Sequence, residues 1–449
     1  MKKQTAASPE ALYTQGGLPP IGEAIPLALQ HVVAMVVGCI SMPMIVASAA
    51  GVSSEDQIIM VQGSLLVAAL AILLQAFGVK GFISSGLPVM VGSGFAFLPT
   101  LRSIVEQSGM AGLAGAQIAG ACVGMLVGLV FKKIRFLFPP IVTGSVVLTI
   151  GISLYDTAVN YMAGGSATDP SYGSARNWIL ALITLAAVIV AGQFGKGMVK
   201  ASATLIGMVV GYIAAAIWGG IDFSGVGTAS WVQLPEPFHF APSFQLNAII
   251  SLGIVFMVNA VQDIGQFEAT ANGAFDRPAT GAEITGGVIG NNLCSLLGGI
   301  LGGVPVATAG QNVGIVVTTR VINRVVFGIA GGVVLVAGLV PELSAILITI
   351  PQPVLGGATI TVFGSIAMTG VRMLAREGLS PRSTFIAGLS VALAVGIPQL
   401  PNVFAGCPAW IGQIFGGSEV IIVALTAILL NLILPRENKE KLPQEKKEN

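Results

Sequence analysis

Gly303–Arg320 reads GVPVATAGQNVGIVVTTR. It is short and rich in Gly, Pro and Thr, yet it sits among apolar runs long enough to cross a bilayer. Non-helical backbone at membrane depth leaves N–H and C=O groups without water, and is tolerated only where protein or a water-filled cavity satisfies them. Such a break is a candidate binding site, more so when the corresponding position of the other half of the chain is also broken. It is: Gly86–Phe95 reads GLPVMVGSGF and Gly303–Asn312 reads GVPVATAGQN. Both open Gly-apolar-Pro-Val and continue with small residues.

The surrounding composition is that of a polytopic membrane protein. Of 449 residues 54% are hydrophobic and 9% charged, with a mean hydropathy of +0.87, against about 25% charged in soluble domains. The 59 glycines suit close helix packing in lipid. A net charge of +1 gives no bulk argument for nucleic acid. Cys39, Cys122, Cys294 and Cys407 are far apart and form no CxxC pair, so they read as small buried hydrophobes rather than a metal site or disulfide framework. No cleavable signal peptide is expected, because roughly the first 20 residues are polar and the first apolar run is long enough to span. There is no P-loop, HExxH or pair of catalytic acids, so an enzyme is not expected and no cofactor or metal is called for.

Fourteen apolar segments are predicted, at 24–46, 58–78, 84–100, 108–131, 137–155, 177–194, 202–219, 245–267, 283–302, 304–319, 323–341, 343–371, 383–400 and 413–434. Pro351 and Pro353 mark a true start or a kink in the long twelfth segment. Each half holds seven segments, and the third of each is broken. An odd number per half gives the halves opposite orientation, an inverted-topology repeat. With the N-terminus in the cytoplasm, all of the 21 Lys and Arg except Arg102 and Arg176 fall on the inner side, as the positive-inside rule expects. Both termini are then cytoplasmic, and the tail Arg436–Asn449 is a solvated mixed-charge run.

Polar side chains inside the membrane need a reason. His31, in the Gln30-His31 pair of segment 1, either relays protons and touches substrate or is a neutral imidazole tying helix 1 to the broken third segment. In segment 8, Asn259, Asp263 and Gln266 share one helical face. Asp263 has no cation within a turn or two, and is a candidate either to take up a proton or to pair with broken-helix backbone. Glu268 and Glu283 lie nearer the inner edge, within reach of water. Asn291 and Asn292 of segment 9, and Gln311, Asn312, Thr318 and Thr319 of segment 10, offer donors and acceptors without charge. That suits a neutral, planar, heteroatom-rich ligand, and Phe95 supplies an aromatic face at the same level. The alternative is amides serving only as interhelical glue.

Gln311-Asn312-Val313-Gly314-Ile315-Val316-Val317-Thr318-Thr319-Arg320 matches the Q/E/P-N-x-G-x-x-x-x-T-R/K/G signature of the nucleobase–ascorbate transporters at every fixed position. The Gln30-His31 pair, the GLPV…FAF stretch and the fourteen-segment layout match too, so the chain resembles that family from about residue 20 to 435. The resemblance implies an all-α membrane fold of two inverted seven-segment repeats, with short antiparallel strands in segments 3 and 10. It implies a core domain of segments 1–4 and 8–11 and a gate domain of segments 5–7 and 12–14. By residue, 1–23 is a cytoplasmic segment, 24–155 core and the start of the gate, 156–244 gate and outer loop, 245–341 core, 342–435 gate and 436–449 a cytoplasmic tail. Substrate would lie between core and gate, bordered by Phe95 and Ala96, hydrogen-bonded by Gly310 and Gln311, and shaped by Asn312 and Thr319.

Gln at the first signature position looks like the purine branch (xanthine, urate) rather than the uracil branch. An ungapped count back from the signature sets Asp263 on the acid of the family's E-x-x-G-D pattern. Asn259 then stands where relatives place a substrate-binding, proton-linked glutamate, and Asn291 where purine-transporting relatives place an aspartate. His31, Asn291 and Thr319 join Asp263 as coupling or supporting residues. The expectation is an inner-membrane secondary transporter of xanthine or urate, working by alternating access with proton symport, as a homodimer. The alternatives are sodium coupling, uncoupled facilitation, or a substrate such as uracil, ascorbate or another small anion.

Overall fold

The computed structural model describes residues 8–435 except 220, 222–235, 379, 401–402, 409–410, 412–414 and 416–418. Lys2, Lys3 and the tail 436–449 therefore lie outside the described residues. The first half runs α1 (Ile21–Ala50), α2 (Ser54–Phe77), β1 (Val91–Ser93), α3 (Leu98–Ile134), α4 (Pro140–Ser153), α5 (Tyr155–Ala163), α6 (Ala175–Phe194), α7 (Met198–Ala201) and α8 (Ala203–Ile217). The second runs α9 (Leu246–Phe275), α10 (Gly281–Leu301), β2 (Val306–Thr308), α11 (Gly310–Thr319), α12 (Arg324–Leu339), α13 (Pro341–Ile348), α14 (Gln352–Glu377), α15 (Pro381–Gly396) and α16 (Glu419–Ile433). Among the described residues, eight helices alone are long and apolar enough to cross a membrane; the other crossings are shorter or broken helices.

The prolines of the long twelfth segment act as the sequence leads one to expect, and two other boundaries differ from expectation. The long segment 343–371 is not one helix: α13 leaves α12 at an angle of 79°, and α14 begins only after Pro351, its N-cap. Proline lacks the N–H that would continue a helix and is tolerated in its first turn. In the first half, α5 likewise follows α4 as a separate short helix. The end of segment 3 and segment 4 form one continuous element, α3, broken at Gly109, whose φ of +64° is open to glycine without strain.

The two predicted breaks meet. β1 and β2 pair antiparallel, Val91 with Thr308, Gly92 with Ala307 and Ser93 with Val306. Gly94 N donates to Pro305 O and Ala309 N to Met90 O, extending the ladder at both ends. Each broken segment thus satisfies the backbone of the other at membrane depth. After each strand the chain turns straight into a helix, at Phe95 and at Gly310.

Packing sorts the helices into two groups. α1, α2 and α3 pack with α9, α10, α11 and α12 around the strands, while α4, α5, α6 and α8 pack with α14, and α15 and α16 pack with α4. Close approach depends on small residues: a Cβ on Gly63 would lie 2.5 Å from Leu301 O, and one on Gly303 2.6 Å from Gly63 C. At the end of the first group where α2 and α9 finish and α10 begins, Lys80 and Arg277 flank Glu283 at 2.9 and 2.7 Å. Glu283 is fully buried in that pairing rather than solvated as its edge position implied.

Candidate substrate site between the broken segments

The crossed strands deliver two helix N-termini to one level. The first amides of a helix have no intrahelical acceptor and carry the positive end of its dipole, so the turns at Phe95-Ala96 and Gly310-Gln311 both present donors. α1 forms the shared wall. Gln311 is exposed, and its Nε2 donates to Ala34 O at 3.1 Å. A Cβ at Gly38 would touch the Phe95 ring at 3.3 Å. Ala34 and Gly38 are one helical turn apart, which sets Gln311 and Phe95 about 6 Å apart along α1. The Phe95 ring meets Phe363 of α14 edge-on, with centroids 5.3 Å apart, so the second helix group closes the far side. Ala96 is buried beneath.

Other expected site residues support rather than line this space. Asn312 is buried, and its Nδ2 donates to His31 O at 2.8 Å and to His31 Nδ1 at 3.2 Å. With Nδ1 accepting, a neutral His31 carries its proton on Nε2. His31 also packs on Phe327 at 4.9 Å. It therefore ties helix 1 to the second broken segment, not the first. Thr319 donates to Ile315 O at the far end of α11, about 13 Å along the helix from Gly310. It closes the helix and is not a wall of the site. Arg320 caps the same end with φ +56° and pairs with Asp276 at 2.6 Å.

The polar face of α9 divides. Asp263 accepts from Thr308 N at 2.8 Å, from Asn291 Nδ2 at 2.9 Å and from Asn259 Nδ2 at 3.3 Å. Asn291 also donates to Thr308 Oγ1 at 3.0 Å and accepts from Gln75 Nε2 at 2.8 Å. Asn259, Asp263 and Asn291 thus anchor β2 to α9, α10 and α2, and make no hydrogen bond to Gly310 or Gln311. The amide that abuts the site belongs to Gln266: a Cβ on Gly310 would lie 3.0 Å from Gln266 Nε2. Aligning Gly265 with the glycine of the E-x-x-G-D pattern places Gln262 and Gln266 at its two acidic positions, three residues beyond the ungapped count. Gly265 was the signal that would have found them. Phe363 carried no sequence signal; only packing brings it to Phe95.

Ser93 Oγ, Asn259 Oδ1, Gln262 Oε1 and Asn312 Oδ1 are buried without a hydrogen-bond partner among the described residues. Unpaired buried polar atoms are costly, and these four cluster around the strands and the helices that hold them. No cluster of His, Cys, Asp or Glu fit to hold a metal occurs among the described residues.

The fold and its crossed, half-helical site define a membrane transporter built of two inverted seven-segment repeats. The same fold occurs in the transmembrane domain of the cyanobacterial bicarbonate transporter BicA (TM-score 0.59, 15% identity, 91% of this chain and 97% of that one). It occurs also in murine Slc26a9, an anion transporter solved in the inward-facing state (TM-score 0.64, 12% identity, 96% and 72%). The model of the Permease family (Xan_ur_permease) matches residues 22–403. The chain is 36% identical to the uric acid permease PucJ of Bacillus subtilis, covering 94% of this chain and 95% of that protein. It is 33% identical to the xanthine permease of the same organism (94% and 95%) and 30% to XanP of Escherichia coli K12 (96% and 96%). The chain belongs to this permease family, the nucleobase–ascorbate transporters. It is a multi-pass membrane transporter and not an enzyme.

Proposed function

We propose that this permease carries a purine base, xanthine or urate, across the cytoplasmic membrane by alternating access. The observation that carries the reading is the convergence of Phe95, Gln311 and Gln266 on two helix N-termini. The ring offers a stacking face, the amides offer both donors and acceptors, and the helix ends favour the oxygen-rich edge of a purine dione. The names of the relatives at 30–36% identity point to the same substrates.

In this reading the core is residues 24–155 up to the end of α3, with 245–341, and the gate is formed by α4–α8 and by 342–435. Phe95 and Phe363 face each other across their seam. Both termini lie in the cytoplasm, and the working unit is a homodimer joined through the gate.

Proton symport through Asp263 is the coupling a buried carboxylate permits. One observation favours a second reading, equilibrative facilitation. All three partners of Asp263 donate N–H, so adding a proton there sacrifices one of those bonds. The neighbouring positions Asn259, Gln262, Gln266 and Asn291 are amides that do not titrate. Uptake of labelled purines, uracil and ascorbate into vesicles, with and without imposed proton or sodium gradients, tests both readings. Purine uptake against its gradient, driven by inward protons, supports symport. Purine uptake that only equilibrates supports facilitation. No purine uptake rejects the substrate.

A further inference from the structure

The chain before α1 crosses both broken segments. A short 3-10 turn, Pro9–Tyr13, carries Leu12, which is buried in the main core cluster. Leu12 O accepts from both Ile322 N (3.0 Å) and Asn323 N (3.2 Å), the last two residues before α12. The Asn323 side chain is fully buried, and its Nδ2 donates to Ala11 O at 2.7 Å, with Gly17 O at 3.3 Å and Gly16 O at 3.4 Å. Its Oδ1 accepts from Val325 N at 2.8 Å, capping α12. On the other side, Gln15 Nε2 donates to Gly86 O at 2.9 Å, at the entrance to the first broken segment. Ser8 N donates to Leu18 O, closing the loop on itself. Gly17 turns the chain with φ +90°, a conformation that L side chains rarely adopt.

We propose that residues 8–18 form a clip that holds the ends of both broken segments remote from the crossed strands in one register, with Asn323 as its positioning residue for the substrate site. Gly86 stands five residues before β1 and Asn323 follows α11 by four. The crossed strands themselves are only three residues each, with few ladder bonds to hold them. The clip joins Gly86 and Asn323 through one rigid loop, and so constrains the angle at which α11 presents Gln311. The functional part of this proposal rests on the purine-site reading above; the structural part does not.

Asn323→Asp separates the two roles of the side chain. The aspartate keeps an N-cap acceptor for Val325 N but has no donor for the carbonyls of Ala11, Gly16 and Gly17. Gln15→Ala removes the Gly86 tie and leaves the Asn323 cap of α12 in place. In both variants, amide hydrogen exchange should rise across 87–94 and 306–312 and stay unchanged in α4 and α14. The KM for purine uptake should rise several-fold to about tenfold, with the maximal rate per protein in the membrane preserved. Asn323→Gln, which restores a donor, should recover part of the loss. Unchanged exchange in the two strands, or a rise spread evenly over the chain, overturns the clip. A local rise with wild-type KM overturns the positioning role. If the wild type takes up no purine, the substrate reading fails while the exchange measurement still decides the clip.

Discussion

Exchanging the partners Asp263 and Asn291 tests the network beneath β2 directly. In Asp263→Asn, the new amide can keep its oxygen toward Thr308 N, at 2.8 Å in the wild type. Its NH2 then points at the former Oδ2 partners. Asn259 can flip to accept it, because its own Oδ1 is without a partner. Asn291 cannot flip freely, since its Oδ1 accepts from Gln75 and its Nδ2 donates to Thr308 Oγ1. One charge-assisted bond of 2.9 Å is replaced by two opposed donors, a loss of about 2–3 kcal/mol. Asn291→Asp alone sets two carboxylates at that distance and is also destabilising. In the double variant Asp263→Asn/Asn291→Asp the donor and acceptor merely change sides. Gln75 Nε2 still has an acceptor, and Thr308 Oγ1 can turn its hydroxyl to donate. The double variant should recover most of the loss, giving a coupling energy of at least about 1.5 kcal/mol. Thermal or denaturant unfolding of the four proteins in one detergent measures it. Strictly additive effects, or a wild-type melting point for Asp263→Asn, would refute the network as drawn. The swap also moves the acid from α9 to α10, so vesicle uptake under a pH gradient can follow in the same protein.

Gln311→Ala should weaken purine binding by about 1–3 kcal/mol and leave folding intact, and Phe95→Ala should cost a similar amount through lost stacking; titration calorimetry on purified protein reads both, and unchanged affinity in both moves the site elsewhere. Cysteines at 132–135, 196–200 and 372–382 should be labelled only from the cytoplasmic side, and labelling of 132–135 from outside intact cells would overturn the topology. Gly303→Ala should destabilise by about 1–3 kcal/mol, because its Cβ would lie 2.6 Å from Gly63 backbone that cannot yield; a neutral result would mean that α2 and the β2 loop have slack. The Arg320 guanidinium, hydrogen-bonded to Asp276, holds that carboxyl below its ordinary value of 3.8. A lowered folded value stabilises above the ordinary one and is lost as pH falls through the folded one. The melting-point difference between wild type and Asp276→Asn should therefore be flat from about pH 5 to 8 and vanish in stronger acid.

Much of the candidate site is legible one residue at a time. The twin Gly-apolar-Pro-Val stretches name both broken segments, the signature names Gln311 and Asn312, and the family resemblance adds Gly310. Gln311 and Phe95 do share a wall of α1. The α9 face was harder. An ungapped count assumes that the α9–α10 connection keeps its length, and connections are where chains gain and lose residues. That count sets Asn259 and Asp263 at the substrate, whereas the structure gives them to β2 and gives Gln266 to Gly310. His31 shows the same limit: a helix face says that a side chain is buried, but not which neighbour it meets.

The sequence by itself determined that this chain lives in a membrane, crosses it in two sevenfold halves and breaks each half at its third segment. Those properties follow from hydropathy, charge bias and backbone chemistry, all of which are local. Only the tertiary structure decided how the breaks meet. The strands are three residues long, and their pairing across more than 200 positions of chain is not written in either one. It decided that Phe363 closes on Phe95, that Glu283 is buried between two cations, and that residues 11–17 bond to both Asn323 and Gly86. Each of these is a contact between surfaces far apart in sequence, and such contacts are set by which helices pack together, which no local pattern encodes.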